Sequence, residues 1–181
     1  MHYGWVAMLI LMSVACGKSP AGSTGEQAVA EPTVVYLVRH AEKETSNPAN
    51  EDPDLTVEGV ARAEALLEVL NSQQVDALYA TKYLRTKNTL VPLANAKNLE
   101  IREYEAHDFN GLKHTVMQNH AGQTVVVAGH SNTVLPLAEA FGAKRPVPEI
   151  TDTQYDYLFK VTVAPDGTAT VETTNYGKPS H

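Results

Sequence analysis

Two histidines and two arginines follow closely on three runs of the sequence that are predicted to form strands. Arg39 and His40 follow the run 33–38, Arg85 comes shortly after the run 76–80, and His130 comes after the run 124–128. An arginine side chain offers a planar fork of donors that fits phosphate oxygens and stays charged. Neutral imidazole, with an ordinary pKa of about 6.5, is a competent nucleophile near neutral pH. These residue types therefore suit the capture and transfer of a phosphoryl group.

The elements that must position these side chains alternate between strand and helix. Strands are predicted at 33–38, 76–80, 99–104, 124–128, 155–163 and 168–174, and helices at 55–72, 84–97, 112–120 and from residue 131 or 133 to 141. This alternation predicts an α/β fold with a mostly parallel sheet and helices on both faces. The Pro165-Asp166-Gly167 turn predicts a C-terminal β-hairpin. Ligands of such sheets bind at the carboxyl ends of the strands, where the four residues are expected to meet.

The first helix is predicted to begin at a cap and to bury one face. Thr56 is of the residue type that suits an N-cap. Val60, Ala63, Leu67 and Leu70 recur at steps of three and four, which favours an apolar face toward the core.

The N-terminal segment is predicted to be separate from the fold. Residues 5–15 form an apolar run about half as long as a membrane-spanning helix, which is typical of a signal peptide. Small residues precede Cys16, the single cysteine, and resemble a bacterial lipobox. We expect a signal peptide at 1–15, a flexible tether at 16–31 beginning with lipidated Cys16, and a domain at 32–181. A plain cleaved signal peptide is the alternative, because Ser13 stands where a lipobox usually has Leu.

The predicted destination of the chain is outside the cytoplasm. We expect lipid anchoring to a membrane, with the outer membrane favoured because Gly17 gives no Asp-type retention signal, and a domain facing the periplasm or cell surface. The formal net charge of −7 and the pI near 5.4 argue against nucleic acid as a partner. Positive charge for an anionic substrate must therefore be local. No obligate protein partner is inferred.

Four short motifs in the same order resemble those of a known family. The resemblance to the histidine phosphatase superfamily, which includes cofactor-dependent phosphoglycerate mutases, covers nearly all of the predicted domain. The matching segments are Arg39-His40-Ala41-Glu42, Leu55-Thr56 with Gly59 and Arg62-Ala63, Arg85-Thr86 with Thr89, and Gly129-His130. The first resembles the family's Arg-His-Gly-Glu signature; Arg62 stands where the family usually has Gln. The resemblance implies a phosphoglycerate mutase-like three-layer sandwich.

The resemblance also implies catalytic roles. By it, His40 attacks phosphorus and becomes phosphohistidine, Arg39 and Arg85 hold the transferred group, and His130 stabilises the transition state. Such a reaction depends on positioning and electrostatics, and needs no metal or other cofactor. The substrate would be a small phosphorylated molecule.

The remaining candidate residues have less defined roles. The general acid is expected in the loop after the third strand, where Glu105 is favoured over Asp108 and Glu103. Ser131 is expected to offer a backbone N–H at the start of its helix. Asn47 is a candidate phosphate contact, although a polar loop residue is the competing interpretation.

Five further residues receive simpler interpretations. Lys43 either enters the pocket or lies in solvent. His107 and His114 are seven residues apart and would share a helix face if the third helix extends back; metal binding is the alternative there, but exposed histidines are the favoured interpretation. Tyr155 and Tyr157 alternate as in a half-buried strand and are assigned to packing.

The function predicted from these features is a metal-independent phosphatase for phosphate monoesters. Within enzymes, a phosphoglycerate mutase-like phosphotransferase and a phosphohistidine protein phosphatase are alternatives. From another class, a non-catalytic lipoprotein that merely binds an anion is the alternative.

Overall fold

The computed structural model describes residues 1, 2, 4 and 30–180 of the chain. Most of the expected signal peptide, the expected lipidation site Cys16 and nearly all of the expected tether lie outside these residues. Along the chain the elements are β1 (Thr33–Arg39), α1 (Val57–Leu70), β2 (Ala77–Ala80), α2 (Leu84–Lys97), β3 (Ile101–Glu103), α3 (Phe109–Asn119), β4 (Thr124–Gly129), α4 (Val134–Ala140), β5 (Tyr157–Val163) and β6 (Ala169–Asn175). The prediction of alternating strands and helices is confirmed.

The six strands form one sheet in the order β3-β2-β4-β1-β5-β6. The four strands β1 to β4 pair in parallel, whereas β5 and β6 pair antiparallel, as predicted for the C-terminal hairpin. Ala128 of β4 lies opposite both Val38 of β1 and Ala80 of β2. The carboxyl ends of these three strands are therefore level, and the residues that follow them emerge side by side.

Helices cover both faces of the sheet and make three layers. Side chains of β1 alternate between the faces, as a strand requires: Val35 and Leu37 pack with α3 and α4, while Tyr36 and Val38 pack with α1 and α2. Both faces are thus apolar, which is typical of a parallel sheet. Within the described part of the chain, none of the helices has the length and apolarity needed to cross a membrane.

Helix α1 begins as predicted, and its buried face includes the predicted Ala63 and Leu70 but not Val60. Thr56 is its N-cap and accepts a hydrogen bond from the Gly59 N–H at 3.1 Å. Val60, however, is 52% exposed, so the predicted apolar face is wrong there. The face turned inward instead carries Gly59 and Arg62, together with Ala63, Leu66 and Leu70. The reason is that Gly59 and Arg62 both contact Glu42, and these contacts set the rotation of the helix.

Helix α3 begins three residues before its predicted start. Asp108 is its N-cap, and the Asp108 carboxylate accepts a hydrogen bond from the Gly111 N–H at 2.9 Å. The capping bond satisfies one of the free N–H groups of the first turn, which allows the helix to start at Phe109.

Candidate active site

An open cavity of about 770 Å³ lies at the carboxyl edge of the sheet. The residues that line it include Arg39, His40, Arg85 and His130. The structure therefore brings together four residues that follow three different predicted strands. The imidazole rings of His40 and His130 are 5.4 Å apart between centroids and meet edge to face. The predicted convergence of two imidazoles and two guanidinium groups is therefore present.

The His40 imidazole is buried and fixed by one hydrogen bond. Its Nδ1 lies 2.8 Å from the Ala41 carbonyl oxygen. A carbonyl oxygen can only accept, so we assign the ring hydrogen to Nδ1, which leaves Nε2 with a free lone pair. The pKa of His40 is lowered to about 3. Burial is the largest cause, the hydrogen bond to Ala41 opposes it, and the positive charge of Arg39 adds to the lowering. His40 is therefore neutral and nucleophilic at Nε2 near neutral pH.

The backbone that holds His40 is itself tied to helix α2. The Ala41 N–H donates to Thr89 Oγ1 at 2.9 Å, and the Thr89 hydroxyl donates to the Arg85 carbonyl oxygen at 2.7 Å. Thr89 is fully buried. This one side chain thus joins the segment after β1 to the segment that carries Arg85.

The Arg39 side chain is held by a loop from the far end of the chain. Its Nη1 donates to the carbonyl oxygens of Thr151, Asp152 and Gln154 at 2.7, 3.1 and 2.9 Å. Its guanidinium carbon lies 4.1 Å from the centroid of the Tyr155 ring, a cation–π contact. Tyr155 precedes β5 and lines the cavity, so its assignment to packing within a strand is wrong.

Arg85 presents donors that no group in the described part of the chain satisfies. Its guanidinium carbon lies 4.2 Å from the Tyr83 ring centroid, and its Nη1 lies 3.7 Å from an Asp52 carboxylate oxygen, beyond hydrogen-bond distance. The buried Nε and Nη1 of Arg85, and the buried Nε of Arg39, have no hydrogen-bond partner among the described residues. Buried donors are normally paired, so these N–H groups suit an anionic ligand at the cavity.

His130 is held by residues that follow strand β2. Its Nε2 lies 3.0 Å from Thr81 Oγ1, and its ring stands edge-on to Tyr83 at 5.4 Å between centroids. The pKa of His130 is lowered to about 4, mainly by burial and next by the positive charge of Arg85. His130 is therefore neutral at neutral pH until negative charge is placed beside it.

The three acidic candidates differ in what they contact. Glu105 and Asp108 line the cavity, whereas Glu103 does not. The Glu103 carboxylate accepts a hydrogen bond from Lys87 Nζ at 2.6 Å, and Asp108 is engaged in capping α3. Glu105 is exposed at the cavity and has no hydrogen bond from its side chain in the described structure.

Two of the substrate-binding predictions need correction. Asn47 does not line the cavity, because its Oδ1 instead accepts the Ala49 N–H at 3.1 Å in an exposed turn. Ser131 does line the cavity, but it lies in a turn before α4, whose N-cap is Thr133. The expected N–H at the start of a helix is therefore not that of Ser131.

Other cavity residues had no assigned role in the sequence. Lys43 and His107 line the cavity, as do Thr81, Lys82 and Tyr83. The one signal for the last three was their position directly after a predicted strand. His114 is exposed on α3, while His107 precedes that helix, so the two do not share a helical face. Among the described residues, no group of three or more His, Cys, Asp or Glu side chains is placed to hold a metal.

Comparison with known proteins gives one family. Residues 35–108 match the model of the histidine phosphatase superfamily, branch 1. A stretch of 72 residues is 40% identical to phosphoserine phosphatase 1 of Hydrogenobacter thermophilus. This stretch covers 37% of the chain and spans about a third (34%) of that relative.

Solved structures share the fold over most of the chain. The protein histidine phosphatase SixA complexed with tungstate aligns with a TM-score of 0.65 at 17% identity, covering 78% of this chain and 96% of SixA. YhfR of Bacillus stearothermophilus aligns with a TM-score of 0.63 at 18% identity, covering 82% and 98%. A mycobacterial glucosyl-3-phosphoglycerate phosphatase aligns with a TM-score of 0.61 at 12% identity, covering 82% and 100%. The expected phosphoglycerate mutase-like fold is confirmed.

Proposed function

We propose that the chain is a histidine phosphatase, like the family whose model residues 35–108 match, and that it hydrolyses phosphate monoesters through a phosphohistidine on His40. One observation carries the proposal: His40 Nδ1 is bonded to the Ala41 carbonyl, so Nε2 keeps its lone pair inside a cavity lined by two arginines. A neutral, oriented imidazole beside fixed positive charge is what attack on an anionic phosphorus centre requires.

In the first half of the reaction, His40 Nε2 forms a bond to phosphorus while the bond from phosphorus to the ester oxygen breaks. The unpartnered N–H groups of Arg39 and Arg85 bind the non-bridging oxygens of the transferred group. The leaving oxygen takes a proton and departs as an alcohol. In the second half, a water oxygen attacks phosphorus, the nitrogen–phosphorus bond breaks, and inorganic phosphate is released with neutral His40 restored.

His130 supplies positive charge beside the transferred phosphoryl group in both halves of the reaction. Its pKa lies near 4 in the free protein because burial and neighbouring cations oppose protonation. A phosphoryl dianion bound beside its ring opposes those effects and favours the imidazolium. The protonated ring then donates a hydrogen bond to a non-bridging oxygen and stabilises the transition state.

Glu105 is the proposed general acid. It lines the cavity and is free of the ion pair that holds Glu103 and of the helix cap that holds Asp108. Its carboxyl protonates the leaving oxygen, and the resulting carboxylate accepts a proton from the attacking water.

The proposed substrate is a small phosphorylated molecule. An open cavity of about 770 Å³ has space for an organic group beside the phosphoryl group. The charged groups that line the cavity favour an anionic ligand, although the net charge of the chain is −7. Four cationic side chains line the cavity against three carboxylates, and the cations are Arg39, Arg85, Lys43 and Lys82. The named neighbours act on different substrates, so likeness in fold does not choose among them.

The test uses the full-length chain and a chromogenic phosphate ester, with and without a chelator. We expect turnover that survives the chelator and is lost in His40→Ala. His114→Ala is the matched control, because His114 is exposed on α3 away from the cavity, and should retain full activity. An acid-labile, base-stable phosphoryl group should be trapped on the wild-type chain and not on His40→Ala. If no ester in a broad panel turns over at any pH, the chain is an anion binder instead.

The same panel separates the alternative enzymes. A phosphorylated sugar acid that is isomerised rather than hydrolysed would identify a mutase. Faster turnover of a phosphohistidine-containing protein than of any small ester would identify a phosphohistidine protein phosphatase. Preference for small esters supports the proposal.

We also propose that the domain is exported and anchored by lipid at Cys16, to the outer membrane by preference. Support comes from the apolar run 5–15 and from the small residues before the single cysteine. The test is membrane fractionation of bacteria that express the chain. Cys16→Ser should move the protein from the membrane fraction to the soluble fraction, and continued membrane binding of that variant would refute the lipid anchor.

A further inference from the structure

A chain of two buried hydroxyl groups leads away from His130. Nε2 of His130 lies 3.0 Å from Thr81 Oγ1, and Thr81 Oγ1 lies 2.9 Å from Thr86 Oγ1. The Thr86 hydroxyl in turn lies 2.8 Å from the Tyr83 carbonyl oxygen and 3.1 Å from the Thr81 carbonyl oxygen. Thr81 is 1% exposed and Thr86 is fully buried, so water does not compete for these contacts.

We assign the direction of these hydrogen bonds from the far end of the chain of hydroxyl groups. Main-chain carbonyl oxygens only accept, so the single hydrogen of the Thr86 hydroxyl is donated to the carbonyls of Tyr83 and Thr81. The Thr86 oxygen is then the acceptor of its contact with Thr81, which commits the Thr81 hydrogen to Thr86. The Thr81 oxygen can consequently only accept from His130, and Nε2 of His130 must carry a hydrogen.

We propose that Thr81 is a positioning residue for His130: its hydroxyl, oriented by Thr86, holds the Nε2 hydrogen and leaves Nδ1 as the nitrogen that gains and donates a proton at the transferred phosphoryl group. This inference rests on the proposed phosphatase function and names the nitrogen through which His130 acts. The two histidines thereby use opposite ring nitrogens, because His40 has its hydrogen on Nδ1 and attacks through Nε2.

Charged groups surround His130 on several elements, and each bears on its protonation. Arg39 lies at the end of β1, Lys43 follows that strand, Arg85 is on α2, and His107 precedes α3. These four groups oppose a positive charge on His130, whereas His40 is neutral and contributes no charge. A bound dianion is the group that favours the second proton, and Thr81 decides that this proton is added at Nδ1.

Two substitutions at Thr81 separate the hydroxyl from the shape of the side chain. Thr81→Val keeps the branched shape and removes the acceptor, whereas Thr81→Ser keeps the hydroxyl. With a chromogenic phosphate ester and the full-length chain, we expect Thr81→Val to lower kcat by roughly tenfold or more, as for loss of one buried hydrogen bond at a reacting group. KM should change much less. Thr81→Ser should recover most of the loss, and Thr170→Val, exposed on β6, should match the wild type.

The decisive measurement reads the ring directly and needs no turnover. Nitrogen NMR of chains labelled with ¹⁵N-histidine distinguishes the two neutral tautomers, and the His130→Gln variant identifies the His130 signals. We expect an Nε2–H ring at neutral pH in the wild type and in Thr81→Ser, and loss of that preference in Thr81→Val. Because the wild-type spectrum is itself a test, the proposal can be judged even if Thr81→Val does not fold.

The outcomes keep the two proposals apart. An Nδ1–H ring in the wild type, or a Thr81→Val variant with wild-type kcat and an unchanged tautomer, overturns the role of Thr81. Absence of turnover in the wild type refutes the phosphatase function, while the NMR result still decides which nitrogen Thr81 holds.

Discussion

Arg62 holds together three separated parts of the chain, and its removal gives the sharpest stability test. Its Nε and Nη2 donate to the Glu42 carboxylate at 2.7 to 3.0 Å. Its Nη1 and Nη2 also donate to the carbonyl oxygens of Tyr176 and Lys178 at 2.9 and 2.8 Å. The side chain of Arg62 is 3% exposed and that of Glu42 is 21% exposed. The perturbation we consider is Arg62→Met, which keeps the apolar stem and removes every donor.

The expected loss follows from what remains unpaired. Removing one partner of a buried ion pair typically lowers the unfolding free energy by roughly 3–5 kcal/mol. Glu42 keeps some contact with water, so the lower end applies, and the two carbonyls that lose donors add to the loss. We expect Arg62→Met to lower the unfolding free energy by about 3 to 4 kcal/mol. For a domain of this size, Tm should fall by roughly 10 °C.

The assay is thermal and urea unfolding followed by circular dichroism on the full-length chain. Arg145→Met is the matched control, because Arg145 also makes a two-point contact with a carboxylate, that of Glu139, at 3.1 and 3.0 Å. Both side chains of that pair are about 40% exposed, so its loss should cost less than about 1 kcal/mol. Equal losses in the two variants, or a loss below about 1 kcal/mol in Arg62→Met, would refute the reasoning.

Three further predictions concern the same region. The pKa values of His40 (about 3) and His130 (about 4) lie below the usual 6.5, so the unfolded chain binds more protons than the folded chain between about pH 4 and 6.5. The unfolding free energy should therefore fall as pH falls through that window. Urea unfolding of His40→Gln should show a weaker dependence of the unfolding free energy on pH. Gly59→Ala should cost at least 1–3 kcal/mol, roughly, because its Cβ would collide with the Glu42 carbonyl oxygen; unchanged thermal unfolding would contradict this. Glu105→Gln should slow esters with poor leaving groups at least about tenfold more than nitrophenyl esters, and equal slowing would exclude it as the acid.

The sequence was sufficient to predict which strand ends meet. Apolar, β-branched runs mark the buried strands, and parallel pairing brings their carboxyl ends to one edge. Arg39, His40 and His130 could therefore be placed before the structure was known. Thr56 was also predictable, because an N-cap depends on local hydrogen bonding.

Features that depend on distant partners could not be predicted. A charged residue on a helix usually faces solvent, and the burial of Arg62 is explained by its contacts with the Glu42 carboxylate and with two distant carbonyl oxygens. Tyr155 reads as part of a strand because alternation does not show where pairing stops. Asn47 was a candidate phosphate contact, but its side chain instead accepts a hydrogen bond within its own turn.

The loop before β5 serves the site through its main chain. Three carbonyl oxygens converge on one nitrogen of Arg39, and each belongs to a peptide unit whose side chain plays no part in the contact. These three contacts therefore depend on the length and backbone path of the loop at 151–154. Deleting Thr153, which does not line the cavity, should displace this backbone and release Arg39 without removing a side chain of the site.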